Sequence, residues 1–449
     1  MYYNIIKRYF KCLLTIKKVH LRQIDWEIYP IITLFHLTIQ LSKLFYHILL
    51  HNPNFICFMS LFDIVIDRSN TGALKLDVLK ERYGRDDLLA LWVADMDFAS
   101  PDFIIDAIRK RLQHPILGYT VTPPELWPTI VKWTKDHHGW DIAEDWLTFI
   151  PGVVKGIGFA INAFTKPDEK VIIQPPVYHH FRITPEGNGR QVVMNPLKLG
   201  DDGIYQMDFE HLASVVDDKC RMLILCNPHN PGGTVWNRET LVKLADFCLE
   251  HHILVVSDEI HCDMALWDNK HIPFASVSEA AAHNSITLAA PTKTFNIAGV
   301  VSAYAVIPDD AIRHKFFDWL EMNEFSEPPM FSPIVALAAF QHGEQWRRDM
   351  LAYLQDNIDF VIRFCEKDLP GIKALRPQAS FLVWLDCRGL GMSHEQLNDF
   401  FINKAHLALN DGEMFGSGGE GFMRLNVGTP RSNLMEALNR LKDAKLHEK

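Results

Sequence analysis

The chain has no C-x-x-C pair, no long uninterrupted apolar run, no basic stripe, no internal repeat and no low-complexity tract. Its eight cysteines (Cys12, Cys57, Cys220, Cys226, Cys248, Cys262, Cys365 and Cys387) show no regular spacing, so neither a zinc knuckle nor a disulfide framework is indicated. They read as reduced cytosolic thiols, and Cys226, after Leu223, Ile224 and Leu225, reads as a small core hydrophobe. The net charge is −10 with Lys and Arg scattered, which argues against a nucleic-acid surface and for a small-molecule partner. The apolar stretch from Ile28 is interrupted by Pro30, His36 and Gln40 and stops at Ser42 and Lys43, too short and mixed for a membrane span. No small-residue cleavage site follows a compact apolar core, so a secretory signal is not indicated either, and a cytoplasmic location is expected.

What the chain does have is an ordinary globular mixture, 48% apolar and 22% charged over 449 residues. That length fits about three domain-sized units, or one large α/β domain with a smaller one. Residues 1–58 stand apart. Seven Lys or Arg face only Asp25 and Glu27, so this segment is +5 and the remainder −15. It reads as an upstream start with the natural protein beginning at Met59, or else as a membrane-surface segment or an accessory helix.

Beyond it the pattern is regular. Trp92 to Phe98 reads as a strand turning into a loop, and Ser100 before Pro101 as an N-cap opening a helix to about Gln113. Further helices are expected over about 125–137, 155–164, 238–251, 310–323, 332–341 and 344–368. Near-continuous apolar runs ending at Ile173, Cys226, Ser257 and Ala290 alternate with these helices, the pattern of a mostly parallel sheet covered on both faces. Alternation around Phe381 and again around Met423 suggests a small mixed sheet near the C-terminus. The expected organisation is therefore a large domain over 101–340 and a smaller α+β domain built from 59–100 and 341–449.

In such sheets ligands gather at the carboxyl ends of the strands, and Asn227, Asp258 and Lys293 sit there. A lysine after so many apolar neighbours is partly desolvated, which lowers its pKa and suits it to form a Schiff base. Asp258, emerging from Val255 and Val256, needs a cationic partner, and a pyridinium nitrogen is one. Asn227 has amide donors for a ring phenolate oxygen, which the His261 imidazole could also approach. The glycine turn Pro151-Gly152-Val153-Val154 opens a helix whose free N–H groups suit a phosphate. Plainer readings exist for each: a surface lysine, a structural ion pair, an Asx-turn before proline, a common helix start.

In combination, Asn-Pro-x-Asn-Pro-Gly-Gly, then Asp-Glu-Ile-His, then Lys293 resembles the fold-type I pyridoxal-phosphate enzymes of the aspartate aminotransferase superfamily, over about 62–446. The stretches Trp92–Phe98, Gly118-Tyr119-Thr120 and Arg424-Leu425-Asn426-Val427-Gly428 look most like its MalY/PatB cystathionine β-lyase branch. The resemblance implies pyridoxal 5'-phosphate linked to Lys293, with Asp258 on its ring nitrogen, Asn227 on its ring oxygen and Tyr178 stacked on the ring. It implies further that Val153 and Val154 cradle the phosphate, that Tyr119 reaches it from the second subunit of a homodimer, and that Arg424 clamps the carboxylate of an amino-acid substrate. His261 stands where many aminotransferases carry tyrosine. Val301 stands eight residues after Lys293, where they keep an arginine, leaving Thr292 as a candidate phosphate donor. The expected activity is β-cleavage of L-cystathionine or cysteine S-conjugates to a thiol, pyruvate and ammonia, with transamination the alternative.

Overall fold

The computed structural model describes residues 60–446; the readings placed on residues 1–58 lie outside them. Seven strands form the main sheet in the order Leu147–Ile150, Ala303–Val306, Ser285–Ala289, Leu254–Asp258, Cys220–Cys226, Lys170–Ile173, Gln191–Met194. All run parallel except Ala303–Val306, which is antiparallel to both neighbours.

The strands are apolar at nearly every position because successive side chains enter different cores. From one strand, Met222, Ile224 and Cys226 pack with Ile157, Ile161 and Phe316, while Leu223 and Leu225 pack with Leu241, Leu244 and Cys248. Helix Val153–Phe164 thus covers one face and Arg238–Glu250 the other. Each fully buried Leu, Ile or Val side chain contributes about 1.5–3 kcal/mol. The arrangement is that of a doubly covered α/β sheet.

A second, antiparallel sheet has the order Lys373–Ala374, Leu382–Asp386, Phe422–Asn426, Asn410–Asp411. It packs on the long helix Glu344–Asp368 through Met350, Leu354, Ile358 and Val361, and on Arg431–Leu446 through Leu434, Leu438 and Leu441. Leu89–Ala90 pairs in parallel with Leu407–Ala408, tying the stretch after Met59 to the C-terminal part.

Helix spans follow the expected ones to within two residues at most ends, and Glu344–Asp368 matches at both. Two local readings differ. Ser100 does not cap: helix Asp102–Arg111 starts from Pro101 without a side-chain cap, and the Ser100 hydroxyl donates to the Asn296 carbonyl at 2.9 Å. The stretch from Trp92 to Phe98 is irregular rather than a strand, because its carbonyls are spent on side chains from elsewhere. Val93 and Asp95 accept from the Asn426 amide, and Met96 and Phe98 accept from that of Asn296. Among the described residues no helix is long and apolar enough to cross a membrane.

Candidate active site

The parallel register sets Cys226 beside Asp258 and Asp258 beside Leu288, so three strands end together and their following loops form one floor. Above it lies a cavity of about 770 Å³ whose wall includes Asp258, His261, Lys293, Arg424, Tyr178, Val153 and Val154.

Asp258 is buried, and its carboxylate accepts the Ile260 N–H at 3.1 Å. Burial pushes its pKa up to about 7 against the opposing pull of that N–H and of Lys293. Its neighbour Glu259 is committed elsewhere, taking donors from Ser257 Oγ, His271 Nε2 and the Phe274 N–H at 2.7–2.8 Å. Asp258 alone of the pair offers a carboxylate to the cavity, and it has no ion pair among the described residues.

Lys293 is partly buried, its Nζ donating to the Ala94 carbonyl at 2.6 Å. Burial, reinforced by Arg424, brings its pKa down to about 8 despite Asp95 and Asp258. Ala94 is held in turn by the irregular segment around it. Asp97 pairs with Arg68 at 2.8 Å and with the buried Lys75 at 2.9 Å, and Arg68 also pairs with Asp95 at 2.6 Å. Arg68 and Lys75 lie 22–29 residues from these partners, and nothing in the sequence marked them.

Arg424 comes from the small sheet. Its Nη1 donates to Asn230 Oδ1 at 2.9 Å, and Nη2 donates to Asn410 Oδ1 at 2.6 Å and to the Trp92 carbonyl at 3.2 Å. Among the described residues every partner is neutral, and Nε has none. Burial lowers its pKa to about 10, which leaves it cationic at neutral pH. A buried guanidinium with neutral supports is suited to an incoming carboxylate.

His261 lines the cavity with Nδ1 unpartnered, and burial, with Lys293 and Arg424, pulls its pKa to about 3, so the ring is neutral. Helix Val153–Phe164 begins at Gly152, whose φ of 115° favours glycine. At Gly156 a Cβ would stand 2.6 Å from Ile150 Cδ1, so glycine there lets the first turn sit close on the sheet.

Two expected residues fall differently. Asn227 does not line the cavity: its amide donates to the Ile272 carbonyl at 3.0 Å, beneath the loop. Asn230, the second asparagine of the same motif, faces the cavity instead. The Asn-Pro repeat was legible, but not which asparagine turns inward. Thr292 is buried and off the cavity wall, while Lys155 in the glycine turn is on it. Tyr119 is fully exposed, away from this chain's own cavity. His179 and His180 were also missed. Both line the cavity, and burial with the nearby cations lowers His179 to about 4.

The profile of the family described as aminotransferase class I and II matches residues 86–441. Cystathionine beta-lyase PatB of Bacillus subtilis is 42% identical over 85% of this chain and 99% of its own. Cystalysin of Treponema denticola, solved with pyridoxal 5'-phosphate, superposes with a TM-score of 0.83 at 34% identity, covering 86% of this chain and 99% of its own. The PLP-bound C-S lyase of Staphylococcus hominis does so with 0.79 at 32%, covering 85% and 97%. With a match of this extent, the chain belongs to the aminotransferase class I and II family.

Proposed function

We propose that the protein is a pyridoxal-phosphate-dependent carbon–sulfur β-lyase that cleaves L-cystathionine or cysteine S-conjugates to a thiol, pyruvate and ammonia. One observation carries the reading. Among the described residues, a single cavity presents an amine lowered towards neutrality, a buried carboxylate without a cation and a buried guanidinium without an anion. These are the complements of an aldehyde, a pyridinium and an amino-acid carboxylate.

The residues fit the group. Lys293 would hold its aldehyde carbon, Asp258 its ring nitrogen, Tyr178 its ring face, and the Val153 and Val154 N–H groups its phosphate, with Lys155 adding a cation in the same turn. Asn230 replaces Asn227 as the donor to the ring oxygen, since its own oxygen is taken by Arg424. Bound there, pyridoxal phosphate supplies an electron sink for negative charge developing at the substrate Cα. Arg424 fixes the substrate carboxylate. Lys293, freed once the substrate's amino group takes its place and steered by the Ala94 carbonyl, would take the Cα proton. The thiolate then leaves Cβ with the C–S bonding pair, and the 2-aminoacrylate released takes up water to give pyruvate and ammonia.

The site is read as shared by two copies. Tyr119 projects fully into solvent beside exposed Ile116, Leu117 and Val121, an apolar edge that suits a second chain whose phosphate Tyr119 would reach. Product analysis with cystathionine tests the activity. Pyruvate should appear with the parent and be lost with Lys293→Ala, whereas conversion of an amino donor and a keto acid without pyruvate would make the protein an aminotransferase.

A further inference from the structure

Two charged residues on the cavity wall have no task in the chemistry above. Glu81 and Arg82 lie on the short helix Leu79–Tyr83, both exposed and both lining the cavity. Neither forms an ion pair with another side chain among the described residues.

Arg82 is nevertheless not a loose surface cation. Its guanidinium stacks over the Trp92 ring at 4.5 Å and lies 5.9 Å from that of Tyr83. Such stacking orients the planar fork and leaves its N–H edge to donate. Trp92 is also the residue whose carbonyl receives Arg424 Nη2. One buried tryptophan, itself anchored by Nε1 to the Lys75 carbonyl at 2.9 Å, therefore supports a guanidinium through its backbone and a second through its ring. Both cations line the same cavity as His179.

The inner guanidinium is matched to the α-carboxylate of the reacting amino acid. The outer one lines the same cavity from an exposed position, on the side from which a sulfur substituent would extend to solvent. Glu81 and Arg82 are adjacent on one helix and both line the cavity, so its exposed edge carries opposite charges side by side. An α-amino-acid head group carries both complements, an ammonium and a carboxylate. An alkyl substituent carries neither.

We propose that Arg82, with Glu81 beside it, is the specificity determinant for the distal end of the thioether, selecting substrates whose sulfur substituent ends in its own zwitterionic amino acid. This rests on the lyase reading but is separable from it. The effect falls on binding at the mouth of the cavity, remote from the bond that breaks.

The test compares L-cystathionine, S-(2-carboxyethyl)-L-cysteine and S-propyl-L-cysteine on the holoenzyme and on Arg82→Met, Arg82→Lys and Glu81→Gln. Met preserves the stem over Trp92 and removes the charge. The parent should prefer cystathionine over the propyl compound in kcat/KM by at least about tenfold. Arg82→Met should erase most of that preference through KM, and should erase that for the carboxyethyl compound too, with Arg82→Lys restoring part of both. Glu81→Gln should weaken cystathionine but not the carboxyethyl compound, which has no distal ammonium. A preference in Arg82→Met that remains within twofold of the parent's overturns the proposal. If the parent cleaves none of the three, the lyase reading has failed. Calorimetric Kd values for the same compounds, then undisturbed by turnover, still decide this one: a tenfold preference dependent on Arg82 supports it, and equal affinities overturn it.

Discussion

At the scale of single residues, the account depends on charges held where water does not compensate them. Asp258→Asn keeps the shape and removes the anion proposed to face the ring nitrogen. Pyruvate formation from cystathionine should fall by about 10²-fold or more, and cofactor should be lost more readily on dialysis, read from its visible absorbance. Arg424→Lys keeps a cation but loses the planar fork supported by Asn230 and Asn410. Its KM should rise by about tenfold or more while cofactor absorbance is retained; an unchanged KM would remove Arg424 from substrate binding. Much of this was legible from residue order. Asp258 and Lys293 end apolar runs, and such runs in an α/β sheet deliver their last residues to one edge. Asn230 was not legible, because Asn227 and Asn230 precede proline in the same motif and only the folded turn decides which points inward. Arg68 and Lys75 were hidden for another reason: an ion pair across more than twenty residues leaves no periodic trace.

At the scale of elements, Lys293 is only as well aimed as the irregular segment that receives it. Trp92–Phe98 has few ladder bonds of its own and is fastened by two asparagines. Asn296 accepts the Met96 N–H at 2.9 Å and donates to the Met96 and Phe98 carbonyls at 2.9 and 2.7 Å, from a left-handed φ of 52°. Asn296→Gly tolerates that backbone but removes all three bonds. A loss of about 2–4 kcal/mol in urea unfolding is expected, with a larger fall in kcat than in substrate affinity, because Ala94 no longer steers Lys293. Wild-type stability and kcat together would show that the segment is held by other contacts. The stretch read as a strand from its apolar residues is irregular for this same reason: side-chain amides took the carbonyls that a neighbouring strand would have used. The glycine turn and the helices, by contrast, were set by local signals and fell within a few residues of where those signals placed them.

At the scale of the whole molecule, buried titratable groups give stability a definite pH dependence. His229 and His261 are held near 4 and near 3 by burial, against about 6.5 when unfolded. The unfolded chain therefore binds more protons between those limits, and stability should fall as pH drops from about 6.5 to 4, by up to about 1.4 kcal/mol per pH unit for each ring. Asp258, raised to about 7, acts with the opposite sign between about 4 and 7, when the native state binds the extra proton. The two histidines outweigh it. Thermal midpoints should decline on acidification through this window, less so in His229→Gln, which can still donate to the Pro176 carbonyl, and a flat profile would contradict the assignment. The central claim is that the cavity where the two sheets meet holds pyridoxal phosphate on Lys293. Borohydride treatment of the purified protein followed by peptide mass analysis addresses it most directly. The account predicts a reduced pyridoxyl-phosphate adduct on the peptide containing Lys293. An adduct confined to other lysines, or none after incubation with the cofactor, would contradict it.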